Sequence, residues 1–284
     1  MSPGIRMSPA ERWKYIVAGP EEEIDLAEAA LVLAAGEYRD LDIDAYLKRL
    51  DEMAATLKRR LRPDISTSEA IISLNHYLFE ELGFAGNAEE YYDPRNSFLN
   101  EVLDRKLGIP ITLSVLYIEV GRRIGLPLHG VSFPAHFLVK CALRDGAIVL
   151  DPYAKGASLG LDDLRQRLTA LRNGIELEPA VVKSMLAVAG KREILVRMLR
   201  NLKGIHLHQN ELDKALAAVD RIIALAPQAA DEYRDRGRIY LDLECFRAAL
   251  GDFRSYLLLR PEADDAGEVQ RKAAELQQLA ARLN

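Results

Sequence analysis

"NSFLNEVLDRKLGIPITLSVLYIEVGRRIGLPLHGVSFPAHFLVK" (residues 96–140) carries two periodicities in turn, and the change from one to the other decides the fold. Through Arg123 its apolar residues recur at three- and four-residue spacing, the mark of a helix with one buried face. Gly108 is expected to end the first helix, Pro110 to open the second at its first position, and Gly125 to close it. From Leu128 the pattern becomes short and β-branched or alternating, in "LHGVSF" (128–133), "HFLVKCAL" (136–143) and "AIVLDPY" (147–153). Asp145-Gly146 reads as the turn between the last two.

Working upstream, helical spacing runs through "EEEIDLAEAALVLAAGEY" (21–38) and "DIDAYLKRLDEMAATLKRRL" (42–61). A further helix starts at "STSE" (66–69), where Ser66 and Glu69 have capping-box spacing, and stops at Gly83. Residues 1–20 read as a flexible tail. Downstream of the strands, "LDDLRQRLTAL" (161–171) is again helical. Residues 21–178 are therefore expected as helices on a small antiparallel sheet, an α+β domain.

Residues 179–284 read as all helix, and they repeat. "ILVRMLRNLKGIHLHQNELDKALAAVDRIIALAP" (194–227) and "QAADEYRDRGRIYLDLECFRAALGDFRSYLLLRP" (228–261) are each 34 residues long, the tetratricopeptide period. Tyr233, Gly237, Tyr240, Ala249, Phe253 and Pro261 fall at that motif's spacing in the second. Leu199, His206, Ala215, Val219 and Pro227 do so in the first, where Lys203 stands in place of the small residue. A polar capping helix, "AGEVQRKAAELQQLAARLN" (266–284), follows.

The 284 residues carry a net charge of −5, which argues against nucleic acid as a partner. The basic run "LKRRLR" (57–62) reads as a solvated helix end. Two cysteines make no disulfide framework, no leader-like segment opens the chain, and no apolar stretch is long enough for a membrane span. A cytoplasmic protein without membrane attachment is expected. No phosphate loop, dinucleotide fingerprint or zinc motif is present, so neither cofactor nor metal is expected. His206 and His208, two apart on a helix, face different directions and suit no shared metal.

The chain resembles the bacterial transglutaminase-like proteins that end in tetratricopeptide repeats, a family with a member described as an invasion-gene regulator. The stretches that carry the likeness are residues 96–140, "LDPY" (150–153) and "RDRGRIYLDL" (234–243). The resemblance implies a transglutaminase-like, papain-like fold. It also implies a Cys-His-Asp triad whose cysteine follows a glycine by two positions at the start of a buried helix, where the helix N-terminus favours a thiolate. Gly108, Arg122 and "GLP" (125–127) match that frame without gaps, and the nucleophile's place then falls on Pro110. "PAH" (134–136) stands where the family has "PGH". By the same likeness His136 and Asp151 are the basic and acidic members. Asn96, Glu101 and Arg105 flank the entry to the Pro110 helix and match the family's pattern, although capping and pairing roles explain them equally well; Asn96, Arg105, Pro110 and Tyr153 are the candidate binding residues.

The residues leave open how His136 and Asp151 meet. A strict Asp145-Gly146 turn would set Lys140 against Asp151, so bringing His136 there needs a longer loop or a bulge. The pair could equally be a structural tie. Thr112 and Ser114, in the first turn of the Pro110 helix, offer hydroxyls in place of the thiol, although a helix-turn threonine more often bonds its own backbone. Cys141 is expected to point away from His136 along one strand, and Cys245 to be a small core residue in the repeats. Two functions follow. One is a non-catalytic module that binds a protein or peptide; the other is a hydrolase or acyl-transfer enzyme using His136, Asp151 and a hydroxyl.

Overall fold

The protein is described here by a computed structural model covering residues 7–144 and 146–282. It divides into two units, Met1–Leu195 and Val196–Asn284.

The first unit opens with α1 (Pro9–Ala18), where a flexible tail is expected; residues 1–6 of that tail lie outside the described residues. The reason is local. Ser8 and Glu11 form a capping box around Pro9, Ile16 is buried, and Arg12 bridges Glu28 and Asp44 at 2.7 Å each. Next come α2 (Leu26–Ala34), capped by Asp25, and α3 (Ile43–Lys58), capped by Asp42. Helix α4 (Thr67–Asn75) starts on the Ser66–Glu69 capping box and continues as a π-helical turn over His76–Glu81 before Gly83, at φ +75°, stops it.

A two-residue strand, β1 (Ala85–Gly86), pairs in parallel with β2 (Leu107–Gly108). This pairing ends α5 (Leu99–Arg105) earlier than Gly108. Lys106 takes the left-handed turn at φ 63°, so that residues 107–108 are free to form the strand. Pro110 opens α6 (Pro110–Arg123), whose residues 110–121 are all buried. A helix buried all round lies at the centre of a domain, and its one buried charge, Glu119, is paired with Arg122 and Arg123.

Four strands form one antiparallel meander: β3 (Leu128–Val131), β4 (Leu138–Leu143), β5 (Gly146–Asp151) and β6 (Ala157–Leu159). The β4–β5 ladder sets Val139 against Leu150 and Leu143 against Gly146. Gly146 is thus already in β5 rather than in the turn, and Asp145 lies outside the described residues. One face of the sheet packs Val131, Leu138 and Val149 against Leu164 and Leu168 of α7 (Leu161–Leu171) and Val182 of α8 (Pro179–Ser184).

The second unit holds the repeats. It begins within α9 (Lys191–His208), which leads into α10 (Leu212–Leu225), then α11 (Ala230–Asp242), α12 (Phe246–Leu259) and α13 (Ala266–Arg282). Phe253 comes so close to Gly237 that a Cβ there would lie 2.6 Å from its ring. Cys245, expected as a core residue, is exposed, because it sits at the turn preceding α12 rather than on a packing face. Among the described residues no helix is long and apolar enough to cross a membrane.

Candidate functional site

The site is built around Asp151, the last residue of β5. Its side chain is buried, and it caps the 3-10 turn Pro152–Ala154. Oδ1 accepts from the backbone N–H groups of Tyr153 (3.1 Å) and Ala154 (3.3 Å) and lies 2.9 Å from His136 Nε2. Oδ2 accepts from Arg167 Nη1 of α7 at 2.8 Å. Burial works to raise the carboxyl's pKa, but the His136 and Arg167 hydrogen bonds outweigh it and hold it below the usual aspartate range.

His136 and Asp151 do meet, but not across two strands. His136 lies in the segment between β3 and β4, two residues before Leu138, and no bulge is required. Ala135 delivers it there at φ 53°, a left-handed conformation that a glycine would hold without strain. The ring is about one-fifth exposed and meets the Tyr153 ring edge-on at 6.0 Å between centroids. Tyr153 in turn closes on Gly86, where a Cβ would stand 2.4 Å from its ring. That contact demands a glycine.

The two candidate hydroxyls have other partners. Thr112 is fully buried; its Oγ1 accepts from Ile109 N–H at 3.1 Å and donates its single proton to Asn96 O at 2.7 Å. Ser114, equally buried, reaches Phe137 O at 3.5 Å. Cys141 is buried on β4, and burial pushes its thiol pKa up.

Asn96 and Arg105 support the site rather than line it. Asn96 is fully buried; Oδ1 accepts from Asn87 Nδ2 (3.1 Å) and Arg105 Nη1 (3.4 Å), and Nδ2 donates to Glu90 O (2.7 Å). Arg105 also pairs with Asp93 at 3.3 Å. Together they pin the 87–93 loop, which carries Tyr91 and Tyr92, to the start of α6. Pro110 is buried as the first residue of that helix.

Sequence reading misses Arg167, Asn87, Asn75 and Tyr117. Asn75 Nδ2 donates to Gly156 O at 3.0 Å and its Oδ1 accepts from Tyr117 O–H at 2.7 Å, fastening the loop after Asp151 to α6. Gly156, at φ +74°, leaves room for that amide. Arg167, Asn75 and Tyr117 find their partners far along the chain, while Asn87 also accepts from Glu90 N–H three residues on; the one available signal is that an asparagine and a tyrosine interrupt otherwise apolar helix faces.

Comparison with known proteins bears on this arrangement. A transglutaminase-like superfamily model matches residues 44–200, more than half of the chain, and a tetratricopeptide repeat model matches residues 202–274. The chain belongs to the transglutaminase-like superfamily. Among its relatives, a UPF0162 protein of Xylella fastidiosa is 38% identical over 268 residues, 93% of this chain and 94% of that one. A UPF0162 protein of Pseudomonas aeruginosa is 34% identical over 92% of this chain and 93% of its own. The F-box only protein 21 of Mus musculus is 36% identical over 141 residues, which are 44% of this transglutaminase-like chain and 22% of that protein. The α+β transglutaminase-like domain followed by tetratricopeptide helices is thus the architecture of this protein.

Proposed function

We propose that this chain is a non-catalytic transglutaminase-like protein that binds a peptide or protein segment beside His136 and Asp151. In this reading Pro110 stands where the enzymes of the fold carry their cysteine, Tyr153 lines the site, and the repeats offer a second interaction surface. Nucleic acid is not the partner, given the net charge of −5. The observation that carries the proposal is the state of Thr112. A nucleophilic hydroxyl must give its proton to a base within hydrogen-bond reach, and this proton is held by Asn96 O inside a buried turn. Asp151 would orient the imidazole equally well for recognition as for proton transfer.

A hydroxyl-dependent hydrolase is the second reading, and Ser114 is its best candidate because its contact with Phe137 O, at 3.5 Å, is long. The test is turnover of a broad panel of amides and esters by wild type, His136→Ala, Thr112→Val and Ser114→Ala. No activity dependent on His136 is expected. A general base supplies about 10²- to 10⁴-fold in rate, so a turnover lost in His136→Ala and in either hydroxyl variant, with the fold intact, would overturn the non-catalytic reading.

A further inference from the structure

Beside His136 the rings continue outward. Tyr153 meets His136, Tyr91 meets Tyr153 at 6.5 Å, and Tyr92 meets Tyr91 at 5.4 Å, each pair close to perpendicular. The outer two are exposed, Tyr91 by 38% and Tyr92 by 70%. Tyr92 keeps most of its surface in water, and the network of Asn87 and Asn96 fixes the loop that presents both rings.

The charges around this wall are not evenly distributed. Glu89 and Glu90, immediately before the two tyrosines, are both exposed. Arg95 and Arg105 share the one carboxylate of Asp93, Arg95 also faces Glu90, and Arg167 pairs with Asp151, so at the tyrosine end the carboxylates of Glu89, Glu90 and Asp93 outnumber the two arginines by one. Lys155, beyond Tyr153, is exposed and lies at the other end of the wall, held in a left-handed turn at φ 55°. An aromatic surface flanked by carboxylates at one end favours a cation on the ring faces there. The same carboxylates repel a phosphate backbone, which disfavours a single-stranded nucleic acid stacked on these rings.

We propose that the wall of Tyr91, Tyr92 and Tyr153 docks an extended segment of a partner protein whose arginine or lysine lies over Tyr91 or Tyr92 beside Glu89 and Glu90. This rests on the binding reading given above and adds to it the chemistry of the partner and its direction, with the cationic end away from Lys155.

The test uses the full chain and fluorescein-labelled capped peptides of alternating glycine and arginine, with glutamine and glutamate in place of arginine as controls, read by fluorescence anisotropy at low and high salt. The arginine peptide should bind and weaken with salt, and the glutamine peptide should bind roughly tenfold less tightly. Tyr92→Ala, at a ring that is 70% exposed, should weaken the arginine peptide roughly threefold to fivefold with unchanged circular dichroism. Glu89→Gln with Glu90→Gln should weaken it and flatten the salt dependence. Lys155→Asn, which suits the left-handed backbone, should tighten it. Equal binding of all three peptides would overturn the cation preference while leaving the binding reading in place. No effect of Tyr92→Ala, no binding of the arginine peptide at millimolar concentration, or binding of oligouridylate to the same rings would each overturn the inference. Turnover in the assay of the preceding section would instead overturn the reading beneath it.

Discussion

Ala135 lies in the left-handed region at φ 53°, immediately before His136, and its Cβ is what makes that conformation costly. Ala135→Gly removes the clash but adds chain entropy to the unfolded state, so the net gain should be up to about 1 kcal/mol. Urea denaturation checks this, and the variant should be at least as stable as wild type. Asp151 sets the second residue-scale prediction. Its folded pKa is depressed, so its contribution is fully present above the unfolded value, about 3.9, and is lost as pH falls through the lower folded value. Asp151→Asn still accepts from the 152–154 turn but strips Arg167 of its counter-ion. Because Arg167 is 37% exposed and partly solvated, the cost at neutral pH should be about 1–3 kcal/mol. That difference should shrink below about pH 4. A gap that stayed constant down to pH 3 would show that the charge has no part in it.

At the scale of elements, Lys203 shows what a motif leaves out. It occupies a position that the tetratricopeptide pattern gives to a small residue, and nothing near it in sequence explains why. In the fold it is nearly buried on α9 and reaches α11, with Nζ 2.7 Å from both Glu232 Oε2 and Asp235 Oδ2, while Arg200 binds the other oxygen of Glu232 at 2.7 Å. The repeat spacing was legible because it depends on helix packing, in which Gly237 and Phe253 recur at set positions; the ion pairs were not, because they join residues about 30 apart. Lys203→Met keeps the stem and removes the charge. Glu232 retains Arg200, so the expected loss is about 1–3 kcal/mol in thermal or urea melts rather than the full cost of an isolated buried charge. An unchanged stability would mean that the pair only offsets its own desolvation.

For the whole molecule, the sequence carried the architecture through periodicity: helices, a meander of short strands, then two 34-residue repeats. What it did not carry were features set by contacts distant along the chain. Helix α1 was missed although Ser8 and Glu11 have capping-box spacing, because its burial depends on Glu28, Asp44 and the α2 face. The β1–β2 pair, which shortens α5, joins two-residue segments too brief to show any period. Of the candidate site, His136 and Asp151 were legible as a pair. Their meeting through a loop rather than across strands depends on the φ of Ala135 and on Arg167, neither of which leaves a trace in spacing.

The central proposal is that Pro110 stands where a thiol nucleophile would sit, beside His136 and Asp151. Its most direct test is Pro110→Cys, with Cys245→Ser removing the exposed thiol, followed by the rate of iodoacetamide alkylation against pH. The account predicts a thiol at residue 110 that ionises well below the free-cysteine value of about 8.5, with the depression lost in His136→Ala. A thiol there that ionises at or above that value, with or without His136, would contradict it.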